Sequence, residues 1–209
     1  MKKVGLLGGS FNPAHGGHRR ISLYAMRALG LDELWWLVSP GNPLKDEAND
    51  MAPLRARLAS ARKVARHSRI VPTAIESVLG TRYTVDTLAA LRRRYPKIAF
   101  IWIMGADNLA QFHQWRDWRG IARRMPIAVM VRPGYDHHAR FAPVMGWFGR
   151  FVRRPDQKEN WTKWRLPSLV MIGTRPDTRS ATALRARFPD WHRPFAHRPL
   201  RDELTHDLI

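Results

Sequence analysis

The chain has 209 residues, 44% of them hydrophobic and none of them cysteine. That length suits one decorated domain with a sizeable core, and the missing thiols exclude disulfides, thiolate metal sites and cysteine nucleophiles. A formal net charge of +19, from 36 Lys+Arg against 17 Asp+Glu, points to a polyanionic partner, either nucleic acid or a phosphorylated small molecule.

Lys3–Leu7 is a short apolar run closed by Gly8-Gly9, a buried strand running into a tight loop. Ile21, Leu23, Tyr24, Met26, Ala28 and Leu29 follow helical spacing, and Gly30 stops them. Glu33–Ser39 reads as a strand ending at Pro40-Gly41. Pro53 opens a second helix with Leu54, Leu58, Ala61 and Ala65 on one face and arginines on the other. Ile70–Ile75 reads as a strand, and Thr84–Tyr95 as a helix with Thr84 in capping position. Ala99–Met104 is a continuous apolar run of the kind found in a central parallel strand. It ends at Gly105-Ala106-Asp107-Asn108, before a helix in two pieces around Gln111–Arg123. Ile127–Val131 and Leu169–Ile172 are further strands, and Ser180–Phe188 is the last clear helix. Strands alternating with helices predict an α/β doubly wound parallel sheet. The segment 134–167, rich in Arg, Trp and Pro, reads as an insertion or long connection ordered in part by its aromatics, and the tail after Phe188 is irregular.

No apolar run approaches the roughly 20 residues of a membrane span. The apolar run after Lys2-Lys3 is broken at once by glycines, unlike a signal peptide. The expectation is therefore a cytoplasmic protein with no membrane partner.

The most informative stretch is Gly8-Gly9-Ser10-Phe11-Asn12-Pro13-Ala14-His15-Gly16-Gly17-His18, which leaves the first strand and opens the first helix. Glycines let backbone approach a ligand closely, and a helix start offers unpaired N–H groups and the positive end of the dipole to a phosphate. His15 and His18, three apart, share a face and can donate to phosphoryl oxygens. The stretch contains neither the Gly-Lys-Ser/Thr of a P-loop nor a G-x-G-x-x-G fingerprint. Paired histidines also suit a metal site, but spacing nominates no third ligand. His113, His137, His138, His192, His197 and His206 lack such spacing and read as surface or structural.

This stretch resembles the G-G-x-F-D/N-P-x-H-x-G-H motif of the HxGH nucleotidyltransferase superfamily, and closely that of bacterial nicotinate mononucleotide adenylyltransferases. Four further blocks follow in family order. Pro40-Gly41-Asn42-Pro43-Leu44-Lys45 is similar to P-x-x-N-P-x-K, and Arg82-Tyr83-Thr84-Val85-Asp86-Thr87-Leu88 to S/R-Y-T-x-D-T-L. Met104-Gly105-Ala106-Asp107-Asn108-Leu109, with Phe112 and Trp115, is similar to M-G-x-D-x-L…F…W. Ser180-Ala181-Thr182-Ala183-Leu184-Arg185 is similar to S-S/A-T-x-I-R.

The resemblance implies a Rossmann-like single domain over residues 1–209 with a C-terminal helical extension. It also implies transfer of AMP from ATP to nicotinate mononucleotide, giving deamido-NAD and pyrophosphate in NAD biosynthesis. Gly8, Gly9, Ser10 and Phe11 would line the ATP site. His15 and His18 would contact phosphates, with His18 the stronger catalytic candidate. Ser180, Thr182 and Arg185 would hold the β- and γ-phosphates, with Lys45 nearby. Asp107 would contact ribose or orient the reacting groups. Asn42, Lys45, Thr84 and Trp115 would face the mononucleotide, Trp115 by stacking. Mg²⁺ would be held mainly by ATP phosphates and water, so no protein metal ligand is assigned.

Several of these residues carry a second reading. Thr84 equally suits a plain helix cap, Trp115 a core residue, and Lys45 and Arg185 solvated cations. Asn12 stands where many relatives have Asp, Ala181 where Ser is frequent, and Arg179 where an apolar residue is common. The alternative substrates are nicotinamide mononucleotide and, in another branch of the superfamily, phosphopantetheine, against which the Arg82–Leu88 and Ser180–Arg185 blocks argue. A basic nucleic-acid binder is the alternative from a different class, but no recognised nucleic-acid module accompanies the arginines.

Overall fold

The computed structural model describes residues 1–41, 51–132, 134, 139–175, 179–195 and 199–209. Among them, β1 (Lys2–Gly9), β2 (Glu33–Val38), β3 (Ile70–Thr73), β4 (Ile98–Gly105), β5 (Ile127–Val131), β6 (Val152–Arg153) and β7 (Leu169–Gly173) form one sheet, ordered β3-β2-β1-β4-β5-β7-β6. All the strand pairs are parallel. The helices are α1 (Gly16–Leu29), α2 (Leu54–Ala65), α3 (Ile75–Val78), α4 (Thr84–Arg94), α5 (Ala106–Gln111), α6 (Trp118–Arg124), α7 (Met145–Phe148) and α8 (Ala181–Arg187). No helix among the described residues is long and apolar enough to cross a membrane.

Strand alternation sends side chains to two faces, and each face carries its own core. Val4, Leu6, Trp35, Phe100 and Val129 join Val85, Leu88, Leu109 and Ile121 of α4–α6. Leu7, Leu34, Trp36, Ile101, Ile103 and Ala128 join Met26, Leu29, Leu58 and Ala61 of α1 and α2. Burial on both faces explains why the strands read as continuous apolar runs. β2 and β3 lie on one side of β1, while β4 and β5 lie on the other. Strand order therefore reverses between β1 and β4, and a crevice opens there at the carboxyl ends of the strands.

The structure corrects several sequence-based boundaries. β3 ends at Thr73 rather than Ile75, and a helical turn, α3, begins at once. The cause lies 128 residues away: the buried Asp202 carboxylate accepts the Ala74 N–H at 2.6 Å and the Thr73 hydroxyl at 2.9 Å. Thr84 is not the cap of α4; Tyr83 occupies that position, without a side-chain cap hydrogen bond. Within the segment 134–167, Val152–Arg153 form β6 at the sheet edge. Trp161, buried from this segment, donates its indole N–H to the Leu29 carbonyl at 2.9 Å. The C-terminal extension has α8 and a 3-10 turn at Arg193–Phe195, and then an irregular tail reaching back to β3.

Arg57 departs furthest from expectation. Instead of sharing a solvated arginine face, it is 1% exposed. Its Nε donates to the Ala52 carbonyl at 2.8 Å, and Nη1 to the carbonyls of Ser10 at 2.8 Å and Ser39 at 2.7 Å. Nη2 reaches the Pro40 carbonyl at 3.3 Å. The planar five-donor fork suits several fixed acceptors at once, which a lysine cannot match. Arg57→Leu should leave these carbonyls unpaired and lower unfolding free energy by about 3 kcal/mol or more, as measured by urea denaturation.

Candidate active site

A cleft of about 840 Å³ opens at the β1/β4 crevice, a volume within the range of small-molecule sites. Its floor is the end of β1. A Cβ at Gly8 would stand 2.5 Å from the Trp102 ring, so only glycine fits there. Phe11, just beyond, holds a left-handed backbone (φ 46) although it is not glycine. Such strain persists only where the surroundings fix it, and here the ring stacks on Trp36 at 5.1 Å and leans on His18 at 4.8 Å.

His15 and His18 cap α1 reciprocally. The Gly17 N–H donates to His15 Nδ1 and the His15 N–H donates to His18 Nδ1, both at 3.1 Å. This is a capping-box arrangement built from two imidazoles. An Nδ1 that accepts a hydrogen bond cannot carry the proton, so each neutral ring carries it on Nε2. The cap thus turns both rings into Nε2–H donors, on side chains that line the cleft. Their centroids are 3.9 Å apart, close enough to serve one phosphate chain.

Across the cleft, Asp107 in the first turn of α5 lies 4.0 Å from Arg132, its carboxylate well exposed. Tyr83 and Thr84 bring the start of α4 to the wall, and Arg116 lies 4.6 Å over the Tyr83 ring. Trp115 is both a lining and a packing residue. It is half-buried, edge-on to Trp102 at 6.2 Å and to Phe112 at 5.3 Å.

The cleft brings together Gly8, Gly9, Ser10, Phe11, His15, His18, Thr84, Asp107, Trp115 and Ser180. Thr182 is exposed, and neither it nor Arg185 is in the cleft wall. Arg185 instead donates to the Asn12 carbonyl at 2.7 Å, tying α8 to the loop after β1. Asn42 and Lys45 lie outside the described residues, as do His137, His138 and His197. Among the described residues no group of three His, Cys, Asp or Glu is placed to hold a metal ion.

Sequence reading missed Glu76 and the arginine lining. Arg20, Arg82, Arg116, Arg132, Arg175 and Arg179 all border the cleft. Glu76 is 7% exposed and accepts from Thr87 Oγ1 at 3.0 Å, while Thr87 and Thr81 hydroxyls pair at 2.9 Å. Burial pushes its carboxyl up to about 7 from an ordinary 4.5, with the Thr87 hydrogen bond pulling the other way. No local signal marks Glu76, because α3 exists through the distant Asp202.

Comparison with known proteins agrees with this architecture. A cytidylyltransferase-like family model matches residues 6–187. A protein of Erythrobacter litoralis named probable nicotinate-nucleotide adenylyltransferase is 56% identical, over 99% of this chain and 94% of its own. A protein of the same name from Parvibaculum lavamentivorans is 50% identical over 88% of this chain and 92% of its own. Among solved structures, Plasmodium falciparum nicotinic acid mononucleotide adenylyltransferase complexed with NaAD superposes with a TM-score of 0.63 at 15% identity. It covers 89% of this chain and 83% of that one, a likeness of fold.

Glu76 gives the site a pH signature. Below pH 4.5 the carboxyl is protonated in folded and unfolded chains alike. Between 4.5 and about 7 only the folded chain keeps the proton, so stability falls as pH rises. The loss should reach roughly 3 kcal/mol and then level off. Glu76→Gln cannot ionise and should lack this component, which urea denaturation of both proteins at pH 5 and pH 8 would isolate as the difference.

Proposed function

The chain belongs to the cytidylyltransferase-like family, and on that footing we propose that it is a nicotinate-nucleotide adenylyltransferase. It would transfer AMP from ATP to nicotinate mononucleotide, forming deamido-NAD and pyrophosphate. The observation that carries this reading is one cleft with two differently built ends. One end is the α1 start with its paired imidazole donors, suited to a phosphate chain. The other is the wall made by Trp115, Arg116 and the start of α4, suited to a flat anionic ring.

The chemistry asks little of acid–base groups. A phosphate monoester is mostly dianionic near neutrality, its second pKa being about 6. One of its oxygens attacks the α-phosphorus of ATP, a new P–O bond forms, and the bond to the β-phosphate oxygen breaks. The electron pair leaves with pyrophosphate, and no proton need move. The protein must align two anions that repel and neutralise charge that builds on the leaving group. His15 and His18 would donate from Nε2 to phosphoryl oxygens, and Ser10 with the glycine backbone would seat the nucleotide. Asp107 would take a ribose hydroxyl.

A divalent metal suits the site as an ion carried on the ATP phosphates, because the lining supplies Asp107 as one exposed carboxylate rather than a cage. We assign it as Mg²⁺, which would neutralise phosphate charge when bound. A cytoplasmic location belongs to the same proposal, since ATP is the adenylyl donor.

Preference for the acid over the amide is supported at the α4 end. Tyr83 caps α4 without a side-chain bond, so the N–H groups of Thr84 and Val85 that open the helix lack a side-chain cap and suit an anionic ligand. Arg82 and Arg116 stand beside them. A carboxylate gains from the helix start and from both cations, whereas a neutral amide gains much less.

The test is pyrophosphate release from Mg·ATP with nicotinate or nicotinamide mononucleotide in parallel. The acid should support the faster kcat/KM. Equal or better use of the amide would overturn the substrate assignment, and silence with both would overturn the activity. His18→Ala should lower kcat by about 10²-fold or more, and should also cost about 1 kcal/mol of stability through the lost cap. Near-normal kcat would remove His18 from the machinery.

A further inference from the structure

Arg179 precedes the α8 segment that resemblance assigns to the ATP phosphates. The groups expected from that segment are mostly directed elsewhere. Ser180 lines the cleft, but its hydroxyl caps α8 by accepting from the Ala183 N–H at 3.1 Å. Position 181 is alanine, Thr182 is exposed outside the cleft, and Arg185 is bonded to the Asn12 carbonyl. Arg179 also borders the cleft.

Its guanidinium lies against Gly16, the first residue of α1 and the variable position of His15-Gly16-Gly17-His18. A Cβ at Gly16 would overlap Nη1 and stand 2.7 Å from Cζ and 3.3 Å from Nη2. The guanidinium therefore fills the space that any larger residue at position 16 would occupy. It also sits at the start of α1, and an anion placed there would meet both a helix start and an arginine fork, each of which binds phosphate.

We propose that Arg179 grips the β- and γ-phosphates of ATP and takes up the charge of departing pyrophosphate, and that Gly16 is there to admit it. This rests on the adenylyltransferase reading. As the bond between the α-phosphorus and the bridging oxygen breaks, the electron pair passes to the β-phosphate oxygen, and the fork stabilises that oxygen from the α1 side. Arg179 thus supplies a donor where Ala181 has no hydroxyl.

Gly16→Ala provides an independent probe. The atoms in the way are the far end of a flexible side chain, so the substitution should fold normally and simply displace the guanidinium. Arg179→Ala, Gly16→Ala, the double variant and Arg93→Ala, an exposed charge control on α4, would be compared with wild type. Calorimetry would give Kd for Mg·ATP, and steady-state assays kcat/KM and inhibition by pyrophosphate. Arg179→Ala should weaken Mg·ATP and pyrophosphate binding about tenfold or more, the scale of one lost charged hydrogen bond. Gly16→Ala should do the same, and adding it to Arg179→Ala should change either constant by less than about twofold. KM for the mononucleotide should hold throughout. Constants for Arg179→Ala that match those of Arg93→Ala would overturn the proposal, as would independent, multiplying effects of the two substitutions. A wild-type protein that binds Mg·ATP but releases no pyrophosphate would instead sink the activity, while the calorimetric comparison would still decide the role of Arg179 in binding.

Discussion

The buried guanidinium of Arg57 is the constraint on which the site depends. Two loops leave the sheet side by side, one after β1 at Ser10 and one after β2 at Ser39, and the Ser39 N–H also donates to the Gly9 carbonyl at 3.0 Å. Loops at strand ends expose carbonyls that no ladder satisfies. Arg57 collects those of Ser10, Ser39 and Pro40 and joins them to Ala52 at the start of α2. Burying a charge is costly unless it is fully hydrogen-bonded, so the arrangement favours one loop geometry over nearby alternatives. Phe11 can then hold its left-handed backbone, because the chain on either side of it is fixed.

From that fixed loop follows the chemistry of the histidines. A helix start must satisfy N–H groups that have no partner within the helix, and serine or aspartate is the usual answer. Here imidazoles do it. The structural role consumes Nδ1, and the proton that remains on Nε2 is the one a phosphate can use. The same two side chains thus cap the helix and, in the proposed reaction, donate to the phosphates. Packing of Phe11 against both His18 and Trp36 then couples ring orientation to the core beneath the sheet.

What could be read from the sequence divides along this line. The sheet, its parallel order and the position of the crevice follow from apolar runs and glycine breaks, each within one strand and its loop. The clustering of His15, His18 and Asp107 follows from motifs just after β1 and β4, whose carboxyl ends the doubly wound topology sets side by side, while Thr84 and Trp115 reach the same cleft from the start of α4 and the turn after α5. Arg57 and Glu76 could not be read this way. Each depends on partners that the chain brings together only once folded. Arg57 looks like any arginine on a basic helix face until its neighbours are known. Glu76 owes its burial to a turn held by Asp202. The same holds for the hydrogen bond from Arg185 to the Asn12 carbonyl, which joins residues 173 positions apart.

The net charge of +19 takes on a different meaning once the cleft is described. Nucleic-acid binders spread cations along an extended face to follow a backbone. Here six arginines border one concave site, against the carboxylates of Glu76 and Asp107, and Glu76 is held toward neutrality by burial. A low-dielectric cleft of one sign focuses its field and draws anions in. The same field helps most where two phosphorylated substrates must be brought within bonding distance against their own repulsion. Positive charge elsewhere on the surface adds to long-range steering, which salt screens within about 10 Å. Charges inside the cleft are screened far less, and that difference in screening separates a basic protein from a basic active site.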